Sequence, residues 1–107
     1  MSCLFCKIAN KEISSEFVLE NEDAVVFKDI NPKASVHLLV VPKKHISTVN
    51  DIKEEDCELI GKLFLTAKEA AKEMGVVESG YNLQVNVGEG GGQEIFHLHI
   101  HLLAKKE

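Results

Sequence analysis

The segment from Phe96 to Leu103 alternates between apolar residues and histidine, and it constrains the fold more than any other part of the sequence. Successive side chains of a β-strand point to opposite faces, so the alternation predicts a strand with one buried face and one polar face. The side chains of the predicted core face are Phe96, Leu98, Ile100 and Leu102. Those of the opposite face, about 7 Å apart along the strand, are His97, His99 and His101.

Four other stretches are typical of β-strands because they are rich in valine and phenylalanine or alternate in polarity. They cover residues 17–21, 24–28, 35–41 and 81–87, and the histidine-bearing strand is predicted to cover residues 95–103. Short connections favour an antiparallel meander for the first three strands. A helical turn is also predicted over residues 2–8.

A long helix is predicted between the third and fourth strands. Apolar residues recur there at spacings of three and four up to Met74, as expected for a helix with one face on a sheet. Asp51-x-x-Glu54 resembles a capping box at its start, and Gly75 suits the position just after its end. The order predicts an α+β fold, with an antiparallel sheet of about five strands and one long helix packed on it. Residues 1–107 are expected to form a single domain.

The charge balance excludes some partners. The 107 residues include 12 basic and 17 acidic side chains, which gives a net charge of −5. A protein that binds nucleic-acid phosphates needs a basic excess, so nucleic acid is not an expected partner.

The longest apolar run, residues 38–41, is too short to span a bilayer, and no signal segment is recognisable. We therefore expect a cytoplasmic protein with no membrane partner.

The row of histidines has three interpretations: a solvated strand face, a metal site, or a centre for acid–base and nucleophilic chemistry. Threonine, lysine or glutamate would serve a solvated face equally well, and His37 on another predicted strand can join the row. Imidazole is a common metal ligand, and it also titrates near neutral pH, as general acids, bases and nucleophiles must. Glu94 has the wrong parity to join the histidine face, which weakly disfavours a metal hydrolase.

Residues 88–92 form a glycine-rich stretch directly before the histidines. It is neither a P-loop nor a dinucleotide fingerprint, because no Gly-Lys-Ser/Thr follows and it leads into a predicted strand. It is either a flexible turn or a cradle whose backbone N–H groups bind an anion.

The Cys3-x-x-Cys6 pair also has three interpretations. A redox dithiol would normally follow a strand in a βαβ unit, which is missing here. Two inert thiols are the second interpretation. A zinc site is the third, and it would need two further ligands from elsewhere in the chain.

The motif set resembles the histidine-triad (HIT) family of nucleotide hydrolases and transferases. The segments that carry the resemblance are Asn86-x-Gly88, Gly91-Gly92-Gln93 and the alternating His97, His99 and His101. Upstream blocks at residues 4–8, 27–30 and 37–46 resemble the family in the same order. The resemblance covers nearly the whole chain.

This resemblance implies catalytic roles for three histidines. His99 would be the nucleophile that attacks the α-phosphorus of a nucleotide ester or phosphoramidate and forms a covalent nucleotidyl-histidine. His101 would contact the phosphate and help the leaving group, and His37 would belong to a supporting hydrogen-bond chain. A neutral imidazole is a competent nucleophile near pH 7.

The resemblance also implies a pocket for a purine nucleotide or nucleotide conjugate. Asp29 would bind the ribose hydroxyls. The base would be walled by Leu4, Phe5, Ile8, Phe27 and Ile30. The phosphate would be held by Asn86, Gly92, Gln93 and the backbone at Glu94.

A structural zinc and a homodimer are implied as well. By the resemblance, the zinc ligands would be Cys3, Cys6, His45 and His97, and no organic cofactor is expected.

Many nucleoside phosphoramidases of the family have serine where this chain has Glu94, a departure that bears on the leaving group. It favours one alternative, a nucleotide-binding or sensing module with little turnover. A histidine-metal hydrolase is the third hypothesis.

Overall fold

Five antiparallel strands form the sheet of the computed structural model, which describes residues 3–106. The strands lie in the spatial order β1-β2-β3-β5-β4, and every neighbouring pair is antiparallel. The predicted sheet and its initial meander are therefore confirmed. The strand bounds are Phe17–Glu20 for β1, Ala24–Lys28 for β2, Val36–Pro42 for β3, Asn82–Gln84 for β4 and Ile100–Ala104 for β5.

Two α-helices flank the sheet: α1 at Leu4–Ala9 and α2 at Cys57–Glu73. The helical turn predicted over residues 2–8 corresponds to α1, while residue 2 lies outside the described residues. Gly75 follows the end of α2 with φ +70°, a left-handed conformation that glycine adopts without strain. Within residues 3–106, no helix combines the length and apolar character needed to cross a membrane.

The strands β2 and β3 are buried on both faces of the sheet, because their side chains alternate between two apolar clusters. On one face, Val26 and Val40 pack in the cluster that contains Leu63 of α2. On the other face, Phe27 and Leu39 belong to a smaller cluster with α1. The long helix therefore covers one face of the sheet, and α1 covers only part of the other. The uncovered part of that second face carries the candidate site.

The start of α2 differs from the prediction. The helix begins at Cys57, and two short 3₁₀ turns at Val49–Asp51 and Glu54–Asp56 precede it. The first turn has its own capping box. Thr48 Oγ1 accepts from the Asn50 N–H at 3.0 Å, and a carboxylate oxygen of Asp51 accepts from the Thr48 N–H at 3.2 Å. Ile52 then adopts an extended conformation, which separates the two turns. The predicted capping box at Asp51-x-x-Glu54 is therefore wrong.

The last two strands are shorter than predicted. The Leu98 N–H donates to the Ile46 carbonyl at 2.6 Å, in the turn after β3, so residues 95–99 do not join the sheet. Leu98, Ile100 and Leu102 still face the core beneath α2, as the alternation predicted. Phe96 does not, because its side chain is 45 % exposed.

Candidate active site and metal centre

A cavity of about 610 Å³ lies on the sheet face opposite α2. Strand register places its floor in one row across four strands, because Phe27 pairs with Leu39, Leu39 with His101, and His101 with Gln84. The β2 end of the row is apolar and the β4 end is polar. The cavity is therefore an elongated slot with two chemically different ends and histidines at its centre.

The structure brings most of the predicted nucleotide-binding residues to this cavity. The predicted residues that line it are Leu4, Phe5, Ile8, Phe27, Asp29, Ile30, Asn86, Gly92 and Glu94. Sequence reasoning missed several further lining residues, among them Ile13, Ser14, Ser15, Lys33, Leu39 and Gln84. The positions of Leu39 and Gln84 follow from strand register with the histidine strand. No sequence signal points to residues 13–15, which belong to an irregular segment between α1 and β1.

Gln93 is buried and does not line the cavity. Its side-chain Nε2 donates to the Ser47 and Ile95 carbonyls at 2.8 and 3.0 Å, and its Oε1 accepts from the Gly88 N–H at 2.9 Å. These bonds fix the glycine-rich turn, in which Gly88 and Gly92 have φ of +71° and +83°. Gln93 thus stabilises the conformation of the loop without lining the cavity, whereas the resemblance implied that Gln93 contacts the phosphate directly.

His99 lines the cavity and has a defined tautomer. Its Nδ1–H donates to the His97 carbonyl at 2.7 Å, so Nε2 is the ring nitrogen with a free lone pair. The ring is 7 % exposed and meets the Phe5 ring edge-on, with centroids 5.0 Å apart. Hydrogen bonding and packing together hold one unprotonated nitrogen available to the cavity.

His37 and His101 form a hydrogen-bond chain beside His99. The Lys33 N–H donates to His37 Nδ1 at 3.1 Å, so His37 carries its proton on Nε2. That N–H lies 2.9 Å from His101 Nδ1 and 3.4 Å from an Asp29 carboxylate oxygen. Neutral His101 therefore carries its own proton on Nε2 and can donate it.

Burial keeps these imidazoles neutral. Desolvation lowers the pKa of His37, His97 and His99 below the usual value. For His101, burial is again the main cause, and repulsion from His99 and His37 adds to it, so the pKa falls to about 4. All four rings are therefore uncharged at neutral pH, as a nucleophile and its neutral partners require.

The lowered pKa of His101 predicts a pH-dependent stability. Between pH 6.5 and about 4 the unfolded chain binds a proton that folded His101 does not, so the free energy of unfolding falls as the pH drops. Asp29, Lys33, His37 and His99 are the ionisable groups that act on this ring. We expect denaturant unfolding at pH 7.5 and 5 to show a smaller loss in His101→Gln than in wild type, by on the order of 1–3 kcal/mol. Equal losses would contradict the prediction.

His97 lies on the α1 side of the sheet, opposite the core-facing Leu98 as the alternation predicted, but it does not line the cavity. Its side chain is fully buried, and its Nδ1 lies 3.3 Å from Cys3 Sγ, 3.5 Å from Cys6 Sγ and 3.2 Å from His45 Nδ1. Cys6 Sγ is also 3.4 Å from His45 Nδ1. His97 therefore belongs to a cluster of four side chains beside α1, whereas His99 and His101 line the cavity.

These four side chains could hold a metal ion, and their ligand atoms all lie within 4.8 Å of one another. A tetrahedral zinc site with Zn–N about 2.0–2.1 Å and Zn–S about 2.3 Å has edges of about 3.3–3.8 Å between its donors. The four separations just given match such edges closely. The His97 Nε2–H also donates to the Pro42 carbonyl at 2.7 Å, which leaves Nδ1 with its lone pair toward the cluster. The donor set and its geometry therefore fit zinc.

Comparison with known proteins agrees with this geometry. A family model described as "Scavenger mRNA decapping enzyme C-term binding" matches residues 2–107. The chain is 47 % identical over 102 residues to Protein HitA of Neisseria gonorrhoeae, covering 95 % of this chain and 94 % of that protein. It is 39 % identical over 100 residues to the purine nucleoside phosphoramidase of Escherichia coli K12, covering 94 % and 84 %.

Solved structures agree as well. A HIT family hydrolase from Legionella pneumophila superposes with a TM-score of 0.95 at 47 % identity, covering 99 % of this chain and 95 % of that one. A histidine triad protein from Clostridium difficile superposes with a TM-score of 0.95 at 43 % identity, covering 100 % and 93 %. The fold, the histidines of the site and the relatives all indicate the same family, so the chain belongs to the histidine-triad family.

Proposed function

We propose that the protein is a hydrolase that cleaves the bond between the α-phosphorus of a nucleoside 5′-phosphoramidate and its leaving amine. The observation that carries this proposal is the hydrogen bond from His99 Nδ1 to the His97 carbonyl, which leaves Nε2 free in a cavity beside a second N–H donor. The 39 % identical relative from Escherichia coli is a purine nucleoside phosphoramidase, which supports the same class of substrate.

The slot suggests how the nucleotide binds. A purine would lie at the apolar end against Phe5 and Phe27, where flat aromatic and aliphatic surfaces are available. Asp29, which lines the cavity, would accept hydrogen bonds from the ribose hydroxyls. The α-phosphate would then reach the central histidines, with Asn86 and the turn around Gly92 on its far side.

The first chemical step is attack by His99. The Nε2 lone pair forms a bond to phosphorus while the bond from phosphorus to the amine nitrogen breaks. The departing amine takes a proton from solvent, while the His101 Nε2–H, whose tautomer is set by His37, donates a hydrogen bond to a phosphoryl oxygen. The His97 carbonyl stabilises the positive charge that develops on the His99 ring, because the Nδ1–H already donates to it.

The second step regenerates the enzyme. A water oxygen attacks phosphorus and its proton passes to solvent, while the His101 Nε2–H again donates a hydrogen bond to a phosphoryl oxygen. The bond between phosphorus and His99 Nε2 breaks, and the nucleoside monophosphate leaves. Asn86, Gly92 and the backbone at Glu94, which line the cavity, would contact the phosphoryl oxygens.

Turnover of adenosine 5′-phosphoramidate tests the proposal directly. Release of AMP and ammonia should follow saturation kinetics, and a nucleotidyl adduct should be trapped by acid quenching. Nucleotide binding with no release of AMP would instead support the nucleotide-binding module. Turnover that vanishes on chelation while the fold persists would support the histidine-metal hydrolase.

We further propose that the four-residue cluster holds one structural zinc ion per chain. Zinc bound there would tie α1 to the segment before β5, because the cysteines flank the first turn of α1 and His97 lies directly before Leu98. It would supply folding free energy and not a reactive water, since four protein donors complete a tetrahedral set. The cysteines are free thiols, which suits a reducing cytoplasm, and we propose that compartment.

A homodimer is also part of the proposal. Phe64 and Leu65 on α2 are 49 % and 59 % exposed, and β4 forms one edge of the sheet within the described residues. Exposed apolar side chains and an open edge are the surfaces that two-fold self-association buries. The family resemblance points to the same assembly.

Sedimentation at micromolar concentration is expected to give twice the chain mass of 11.8 kDa. The double variant Phe64→Glu with Leu65→Glu should shift the protein toward monomer, because charge would be buried at the contact. Glu22→Gln, in the turn between β1 and β2, serves as the control and should remain a dimer. A wild-type monomer would overturn this part of the proposal.

A further inference from the structure

Glu94 lines the cavity, and the binding mode proposed above directs the leaving group toward the polar side, where Gln84 and Asn86 lie. The floor of the slot runs from Phe27 at the apolar end through His101 to Gln84 of β4, and Glu94 lines the same cavity together with Asn86. A nucleotide with its base at the apolar end and its phosphorus at the histidines directs its leaving group toward β4. The side chain of Glu94 is exposed there.

The carboxylate of Glu94 has no ion-pair or hydrogen-bond partner among residues 3–106. Other charged residues that line the cavity are engaged or lie elsewhere. Lys28 pairs with Glu16 at 2.7 Å, and Asp29 accepts from the Asn31 N–H and lies near His37. The Lys33 N–H bonds His37, and the charge of its side chain acts on His101. Glu94 thus brings to the cavity a negative charge that no ion pair within residues 3–106 offsets.

We propose that Glu94 is a specificity-determining residue that selects phosphoramidates whose leaving amine carries a second, positively charged group. This inference rests on the proposed function, because it assigns the part of the substrate beyond the scissile bond. A cation at the far end of the leaving group approaches the carboxylate, whereas an anion there is repelled. The same charge therefore disfavours leaving groups that are phosphates, such as those of dinucleoside polyphosphates.

A matched substrate series tests the inference. Three adenosine 5′-phosphoramidates of similar length would release 1,3-diaminopropane, butylamine or β-alanine, whose distal groups are cationic, neutral and anionic. The kcat/KM of each is measured for wild type and Glu94→Gln at low and at high salt. Glu89→Gln is the control variant, because Glu89 is an exposed acidic residue of the same loop that does not line the cavity.

Wild type should prefer the cationic substrate to the anionic one by about tenfold at low salt. Glu94→Gln should lower kcat/KM for the cationic substrate and raise it for the anionic one by about threefold each, the scale of one exposed charge contact. Of the three substrates, butylamine release should change least in Glu94→Gln, Glu89→Gln should behave as wild type, and high salt should shrink the preference.

Two failures are distinguishable. If all three substrates are turned over with equal kcat/KM, or Glu89→Gln reduces the preference as much as Glu94→Gln, the proposal for Glu94 is overturned while the proposed function stands. If none of the three is turned over, the proposed function fails, and the inference that rests on it fails as well.

Discussion

Replacing His99 by alanine or asparagine is expected to reduce phosphoramidate turnover by at least about a thousandfold, because the proposed covalent route loses its nucleophile. The asparagine variant is the more informative of the two. Its side-chain amide can still donate to the His97 carbonyl, so the loop before β5 keeps its hydrogen bond while the attacking nitrogen is gone. Steady-state release of AMP measures the effect, and far-ultraviolet circular dichroism checks the fold.

His101→Ala provides the comparison for this result. It removes the N–H that donates to the phosphoryl group but leaves the nucleophile, so it should yield a slower enzyme that still forms the adduct. Mass spectrometry of acid-quenched wild type should place the nucleotide on His99, and the same adduct should accumulate in His101→Ala. Near wild-type turnover by His99→Asn would show that the histidine-triad mechanism does not operate in this chain.

Loss of the metal site is expected to have the second large effect. Wild type purified without chelator should contain one zinc per chain, and Cys6→Ser should contain none. The free energy of unfolding should fall by at least about 3 kcal/mol, which for a domain of this size lowers Tm by roughly 12 °C or more. Elemental analysis and thermal unfolding measure the two quantities.

Cys57→Ser is the matched control, because Cys57 is an exposed cysteine at the start of α2, outside the metal cluster. It should keep both the zinc and the Tm of wild type. Wild type free of zinc, or a Cys6→Ser variant as stable as Cys57→Ser, would contradict the zinc proposal.

Periodic sequence patterns predicted the parts of the fold that repeat regularly. Side-chain alternation placed Leu98, Ile100 and Leu102 in the core, and three- and four-residue spacing located α2, because burial against a flat sheet imposes these periods. The same patterns predicted β4 and β5 to be longer than they are in the structure. The hydrogen bond from the Leu98 N–H to the Ile46 carbonyl depends on a distant turn, which no local period encodes.

The candidate site was predictable where chemistry is concentrated in rare residue types. Family resemblance grouped Cys3, Cys6, His45 and His97, and the structure brings the four together. Gln93 shows the limit of this approach, because its bonds to Ser47 and Gly88 depend on how two loops meet. Cavity residues such as Ser15 have no distinctive spacing, so only tertiary structure reveals them.

The contact between Cys3 and His97 joins residues 94 positions apart, and it has a consequence for synthesis of the protein. Phe5, which packs on His99, lies two residues after Cys3. The contacts of this segment can therefore form only after residues 97–99 have been synthesised. During translation the first three strands can pair while α1 has neither His97 nor His99 to contact. An incomplete nascent chain therefore has an exposed thiol pair and lacks the candidate cavity. Once His97 and His99 have left the ribosome, the thiols become covered and the cavity forms at the same stage.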